Sequence, residues 1–194
     1  PVAMELWRQY LKSEGLAETN IETLRKIYRQ TGGLPLALRL VASLIEQDRS
    51  PSEILEKFQD STIPEEITGR FVLDQVYATL SQQQIKFLEA LSTFAHPADG
   101  TVIASVAEMR DWQLSADALV RKAVVDFVDG RYALHPLTRA YLRNRVWREQ
   151  FAIFQQRMVQ HYLAYIEEYQ YDFDQIDREW PNIQYAFETA YHNE

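Results

Sequence analysis

The stretch TGGLPLAL, at residues 31–38, decides how the first part of the chain folds. Gly33 can adopt backbone angles that other residues avoid, and the following proline pushes Leu34 towards an extended conformation. Pro35 suits the first position of a helix, where its missing N–H costs nothing. Most residues from 36 to 45 are apolar, which favours a helix buried on most sides. The local pattern favours a plain helix–helix connection over a turn that brings backbone close to a flat or charged ligand.

Composition indicates a helical chain and excludes several kinds of site. The 194 residues include 6 glycines and 7 prolines, and the many Leu, Ala, Gln and Glu residues favour helix. Cysteine is absent, which excludes disulfides and cysteine metal sites. No apolar run approaches the roughly 20 residues that span a membrane, and no secretory signal appears. We expect a cytoplasmic chain without membrane contact, cut from a longer protein.

The charge is acidic and unevenly placed. The net charge is −8, and residues 149–194 carry 2 basic and 9 acidic side chains. An acidic chain makes nucleic acid an unlikely partner unless a local basic patch provides the contacts.

Apolar spacing and capping residues predict four helices within residues 1–60. The first covers residues 3–14, and Thr19 with Glu22 has the pattern of a capping box before the second. The buried helix after Pro35 is the third, and Ser50 fits the N-cap of the fourth. We expect a small helical bundle, followed by a linker at residues 61–64.

Residues 65–148 combine short helices with one predicted β-hairpin. The residues that fit helix N-caps are Ser81, Thr101 and Ser115. Asp129-Gly130 separates two β-type runs, which is among the strongest hairpin signals in a sequence. A further helix is predicted from Leu137 to Trp147. Helices followed by a hairpin are typical of a winged helix.

Two long helical stretches fill residues 149–194, and Pro181 lies near the start of the second or at a kink. Two helices cannot close a core alone, so we expect the start of a TPR-like helical arm. The predicted fold is therefore mainly α: a helical bundle, a winged-helix domain and the first helices of an arm. The four tryptophans, Trp7, Trp112, Trp147 and Trp180, are expected to anchor the core.

Residues 33–38, GLPLAL, resemble the motif of that sequence in the NB-ARC family, within the STAND class of signal-transducing NTPases. In that family the motif belongs to a helical subdomain, and its proline lies against the adenine of the bound nucleotide. The resemblance implies that Gly33, Leu34 and Pro35 contact ADP or ATP.

A second segment, ALHPL at residues 133–137, resembles the MHD motif that ends the winged-helix subdomain of that family. The resemblance assigns His135 to the β-phosphate of ADP in a closed state. A histidine at a helix start lies near backbone N–H groups and can meet a phosphate, although the local pattern alone favours a packed or capping histidine. This chain has Leu134 and Pro136 where the motif has methionine and aspartate, so any role of that acid is in doubt.

The chain contains no phosphate-binding loop of the Gly-x-x-x-x-Gly-Lys-Ser/Thr type and no magnesium site. We therefore expect no enzymatic activity and no tight nucleotide binding from these residues alone, since phosphoryl transfer needs both. The resemblance implies a slow ATPase switch that uses ADP/ATP with magnesium. Its expected partners are an upstream P-loop domain, downstream helical repeats and a homo-oligomer in the active state.

Two other functions stay open. A DNA-binding winged helix would use the basic side chains near the hairpin, which are Arg131, Arg139, Arg143, Arg145 and Arg148. The candidate recognition helix at residues 116–122 is short and mostly apolar, which argues against this. A protein-interaction scaffold would dock a partner on the acidic C-terminal helices.

Overall fold

The computed structural model describes residues 21–31, 33–46, 50–59 and 65–192. The helix predicted over residues 3–14, the cap at Thr19 and the linker at residues 61–64 lie outside these ranges. Packing divides the chain into two compact units. The first contains the described residues up to Leu80 together with Arg121–Ala123, and the second contains Ser81–Val120 and the described residues from Val124 onward.

These units do not coincide with the predicted boundaries near residues 60–65 and 148–149. The two units are groups of residues that lie close together, and such a group can begin or end inside a domain. The division into residues 1–60, 65–148 and 149–194 therefore stays a prediction.

The first unit is built around one buried helix. Its elements are α1 (Ile21–Gln30), α2 (Pro35–Glu46), α3 (Pro51–Gln59) and α4 (Glu65–Tyr77). The prediction that α2 is buried on most sides is confirmed, since α1 packs on α3, α2 packs on α4, and most side chains of α2 are inaccessible to solvent. The cap predicted at Ser50 is also confirmed, because its Oγ accepts the backbone N–H of Glu53 at 3.1 Å.

The remaining elements are α5 (Gln82–Leu91), α6 (Gly100–Val106), α7 (Gln113–Arg121), β1 (Asp126–Val128), β2 (Arg131–Ala133), α8 (Pro136–Arg145), α9 (Arg148–Tyr169) and α10 (Phe173–His192). Within the second unit α6 packs on α5 and α9, and α9 packs along α10. Pro181 lies inside α10. Within the described ranges, no helix is both long and apolar enough to cross a membrane.

The predicted hairpin is confirmed. Asp129 and Gly130 both have positive φ, at 52° and 76°, as a two-residue I′ turn requires. The strands β1 and β2 pair antiparallel, and Tyr132 in β2 also exchanges two backbone hydrogen bonds of 2.9 Å with Ala98. Helices, this short bridge and the hairpin make the unit winged-helix-like. The predicted fold class, mainly α with one hairpin and two long C-terminal helices, is confirmed.

Helix starts agree with the sequence only in part. The capping box at Ser81 is present, with its Oγ accepting the N–H of Gln84 at 3.3 Å. The cap predicted at Thr101 is wrong, because Asp99 accepts the N–H of Thr101 at 2.8 Å and caps α6 two residues earlier. The cap predicted at Ser115 is also wrong, since α7 begins at Gln113 and buries this serine.

An aromatic cluster fills the centre of the second unit. Phe87 stacks on Trp112 with ring centroids 5.9 Å apart, and Tyr132 meets both rings edge-on. The prediction that Trp147 and Trp180 anchor the core is wrong, because their exposures are 83% and 54%. Large apolar rings favour burial on average, but Trp147 is the N-cap residue before α9 and Trp180 lies at an exposed position of α10.

Candidate functional site

The turn at Gly33 requires glycine for structural reasons. Gly33 has φ of 68°, and its N–H donates to the carbonyl of Tyr28, five residues earlier, at 3.1 Å just after the end of α1. A Cβ at this position would lie 2.8 Å from the Tyr28 hydroxyl. The glycine therefore shapes the turn whether or not a ligand is present.

The rest of this turn presents a small apolar edge. The Leu34 carbonyl accepts the N–H of Leu38 at 3.0 Å, so Leu34 caps α2 and Pro35 takes its first position. Leu34 is 43% exposed and Pro35 is exposed, whereas the next three residues are buried. The motif thus has a buried helical half and an exposed half that a flat apolar group can contact.

His135 is the N-cap of α8. Its Nδ1 accepts the backbone N–H of Leu137 at 3.3 Å, and Pro136 occupies the first helical position. A nitrogen that accepts a hydrogen bond carries no proton, so the neutral ring carries its proton on Nε2. Nε2 makes no hydrogen bond with any described residue. The capping role left open by the sequence is therefore observed, and it leaves one N–H donor available.

The two departures from the MHD pattern have structural roles. Leu134 is 5% exposed and anchors the end of the hairpin in the core. Pro136, at the position of the family's aspartate, starts α8 and carries no charge. Gly33, Leu34 and Pro35 are consecutive in one turn of the first unit, while His135 belongs to the second unit.

A buried ion pair that the sequence analysis missed joins β2 to α10. Arg131 Nη2 lies 2.7 Å from Glu179 Oε1, and the two side chains are only 14% and 8% exposed. The Tyr162 hydroxyl donates to Glu179 Oε2 at 3.1 Å. Burial and the carboxylate both raise the pKa of Tyr162, so its hydroxyl stays protonated and remains a donor.

The same network includes the carbonyl of Pro97, in the loop before α6. Arg131 Nε and Asn182 Nδ2 each donate to this oxygen at 3.0 Å. One arginine thus connects the hairpin, this loop and α10, while Tyr162 adds α9. A signal for this pair was present in the sequence, because Glu179 lies between Ile176 and Ile183 at three- and four-residue spacing, on the apolar face of the helix.

The basic patch considered for DNA is reduced by these contacts. The charge of Arg131 is balanced by Glu179, and Arg143 Nη2 donates to the Tyr185 hydroxyl at 3.0 Å. In the part of the chain that the structure describes, no cluster of His, Asp and Glu has the arrangement of a metal site.

Beside the network, His161 makes stability depend on pH. Burial lowers the pKa of His161 from its ordinary 6.5, and the charge of Glu179 opposes this shift only in part. The unfolded chain therefore takes up a proton near pH 6.5 that the folded unit resists until a lower pH. We expect the free energy of unfolding to fall as pH drops below about 6.5, by well under about 1.4 kcal/mol per pH unit, since the ring keeps some solvent exposure.

Urea unfolding at pH 7.5 and at pH 5.5 measures this loss. His161→Gln should reduce it, because the glutamine does not titrate. His96→Gln, at an exposed histidine, should keep the wild-type difference. Equal pH differences in wild type and His161→Gln would contradict the assignment.

No protein-family model and no curated protein matches this chain. Among solved structures, the chain is similar to a Signal Transduction ATPase with Numerous Domains (STAND) protein with a tetratricopeptide repeat sensor from Pyrococcus horikoshii. The TM-score is 0.65 and the sequence identity 20%, over 98% of this chain and 24% of that protein. This chain therefore spans about a quarter of its structural neighbour and has the fold found in part of a STAND protein.

Proposed function

We propose that this chain is the regulatory part of a STAND-type, NB-ARC-like NTPase. It helps to hold ADP or ATP in a closed off-state and relays a signal from a C-terminal sensor arm. The observation that carries the proposal is His135, which caps α8 through Nδ1 and keeps Nε2–H as a free donor at a helix N-terminus. The similarity in fold to part of a STAND protein, over 98% of this chain, supports the proposal.

In this proposal the two motifs contact different parts of the nucleotide. The exposed edge of Leu34 and Pro35 lies against the adenine, and Gly33 shapes the turn. His135 donates its Nε2–H to the β-phosphate, with the N-terminal dipole of α8 favouring the negative charge. An upstream P-loop domain of the same protein supplies the phosphate loop and magnesium, and the whole cytoplasmic protein is a slow ATPase switch.

The proposed relay uses the buried ion pair. Because Arg131 in β2 is held by Glu179 in α10, a displacement of α10 by downstream helical repeats moves the hairpin with it. The hairpin leads directly into His135 and α8. A signal that shifts the arm would thereby change the population of the nucleotide-closed state and permit homo-oligomers.

The test is ADP affinity in the protein that carries this chain together with its P-loop domain. Asparagine is a good N-cap, so His135→Asn keeps α8 capped and removes the reach to phosphate. We expect ADP to bind about tenfold more weakly. Pro35→Ala should weaken ADP about threefold or more through lost apolar contact. Calorimetric titration measures both.

Matched controls exist for each substitution. Pro51 also takes the first position of a helix, and His96 is an exposed histidine outside the motifs. Pro51→Ala and His96→Asn should leave ADP affinity unchanged. If His135→Asn and Pro35→Ala do the same, the proposed nucleotide contacts are wrong, and an interaction scaffold explains the chain better.

A further inference from the structure

Three side chains that can bind an anion follow one stripe of α8. His135, Arg139 and Arg143 are spaced by four residues, which places them one above the other on a helix. Helical side chains lean towards the N-terminus of their helix. The three residues therefore lie along one side of α8, with Arg139 one turn and Arg143 two turns beyond His135.

Arg139 has no acid to neutralise it among the described residues. Its Nε is buried without an acceptor, and the side chain is only partly exposed. Burial lowers the pKa of Arg139, and the positive charge of Arg143 lowers it further. An arginine nevertheless stays protonated in a protein, so a partly buried positive charge is left without a counter-ion.

The contrast with Arg131 in the same unit is informative. Arg131 is a structural arginine whose charge is balanced by a carboxylate at 2.7 Å. Arg143 is positioned by the Tyr185 hydroxyl at 3.0 Å and lies 6.0 Å from the ring centre of Phe151, and neither group is negative. Like charges four residues apart destabilise a helix, so α8 carries two cations at a cost that a bound anion would remove.

We propose that Arg139, supported by Arg143, binds a phosphate group of the nucleotide that His135 faces. This deepens the proposed function and rests on it. A guanidinium binds phosphate through two parallel hydrogen bonds, and the adjacent helix N-terminus adds favourable dipoles. A nucleotide fits better than duplex DNA, because DNA binding needs several basic side chains that contact successive phosphates. Arg131 cannot be one of them, since its charge is already balanced by Glu179.

The first experiment titrates inorganic pyrophosphate into the 194-residue chain at low ionic strength, followed by NMR shifts of the arginine and histidine side chains. Arg139→Gln should weaken binding about tenfold. Arg139→Lys keeps the charge without the planar fork and should give an intermediate affinity. Arg148→Gln, at an exposed arginine at the start of α9, should have no effect. Circular dichroism checks that every variant is folded.

Several results would overturn the assignment. One is that Arg139→Gln and Arg139→Lys both bind pyrophosphate as tightly as wild type does. Another is that Arg148→Gln loses as much affinity as Arg139→Gln, which would mean that pyrophosphate is attracted by the overall positive charge and not by one site. A short duplex DNA that displaces pyrophosphate through Arg139 at equal phosphate concentration would reassign the site to DNA.

The same variant in the longer protein separates this inference from the proposed function. If His135→Asn weakens ADP and Arg139→Gln does not, only the role of Arg139 fails. If neither variant weakens ADP, both fail. If both do, the phosphate site is supported.

Discussion

Replacing Glu179 with alanine is expected to lower the free energy of unfolding by about 3–5 kcal/mol. The substitution leaves Arg131 charged and nearly buried, at 14% exposure, and removes the acceptor of the Tyr162 hydroxyl. Both losses act in the second unit, whose core surrounds the pair. Urea unfolding followed by circular dichroism and by tryptophan fluorescence measures the change.

Two comparisons show whether the charge is responsible. Glu188→Ala changes an exposed acid in the same helix and should stay within about 0.5 kcal/mol of wild type. Arg131→Met combined with Glu179→Leu removes both charges and should recover much of the lost stability, since a buried pair is often replaced by apolar residues at little cost. A double variant that is less stable than Glu179→Ala would contradict this account.

The second large effect is expected at Gly100. A Cβ there would lie 2.2 Å from the Trp112 ring and 2.8 Å from the Tyr132 ring, and both rings belong to the aromatic cluster. Gly100→Val should therefore lower the free energy of unfolding by about 3 kcal/mol or more, because the rings cannot move without breaking their mutual packing. Thermal and urea unfolding measure the loss.

Gly130→Ala provides the contrast, since open space surrounds that position and only its φ of 76° opposes a side chain. Its expected cost is about 1 kcal/mol. In Trp112→Leu, Gly100→Val should cost less than in wild type, because the smaller side chain makes room. An equal cost in both backgrounds would show that the clash is not with Trp112.

Local signals predicted much of the fold because their physics is local. The Asp129-Gly130 turn, the Ser81 capping box and the Pro35 helix start each depend on a few neighbouring residues, and all three are present. The prediction at Thr101 failed because Asp99, two residues earlier, caps the helix instead. The prediction at Ser115 failed because the helix begins at Gln113 and the serine is buried within it. The bridge between Ala98 and Tyr132 has no local signal, because it joins distant segments.

The sequence predicted which residues belong to the candidate site, but not which of their atoms are available to a ligand. The motif positions identified Pro35 and His135, but only the structure distinguishes the two nitrogens of His135 by the hydrogen bond that Nδ1 accepts. Charge counting assigned Arg131 to a basic patch and Glu179 to an acidic tail. Their pairing depends on the packing of β2 against α10, which periodicity does not reveal.

The hydrogen bond between Asn182 and Pro97 links residues 85 positions apart. Closing so long a stretch of chain costs more entropy than forming a helix or a two-residue turn, so we expect this contact to form late in folding. Interactions absent from the folding transition state act on the unfolding rate and hardly on the folding rate. The Pro97 junction would then determine how long the second unit persists once formed, and α10 would be the helix that secures it.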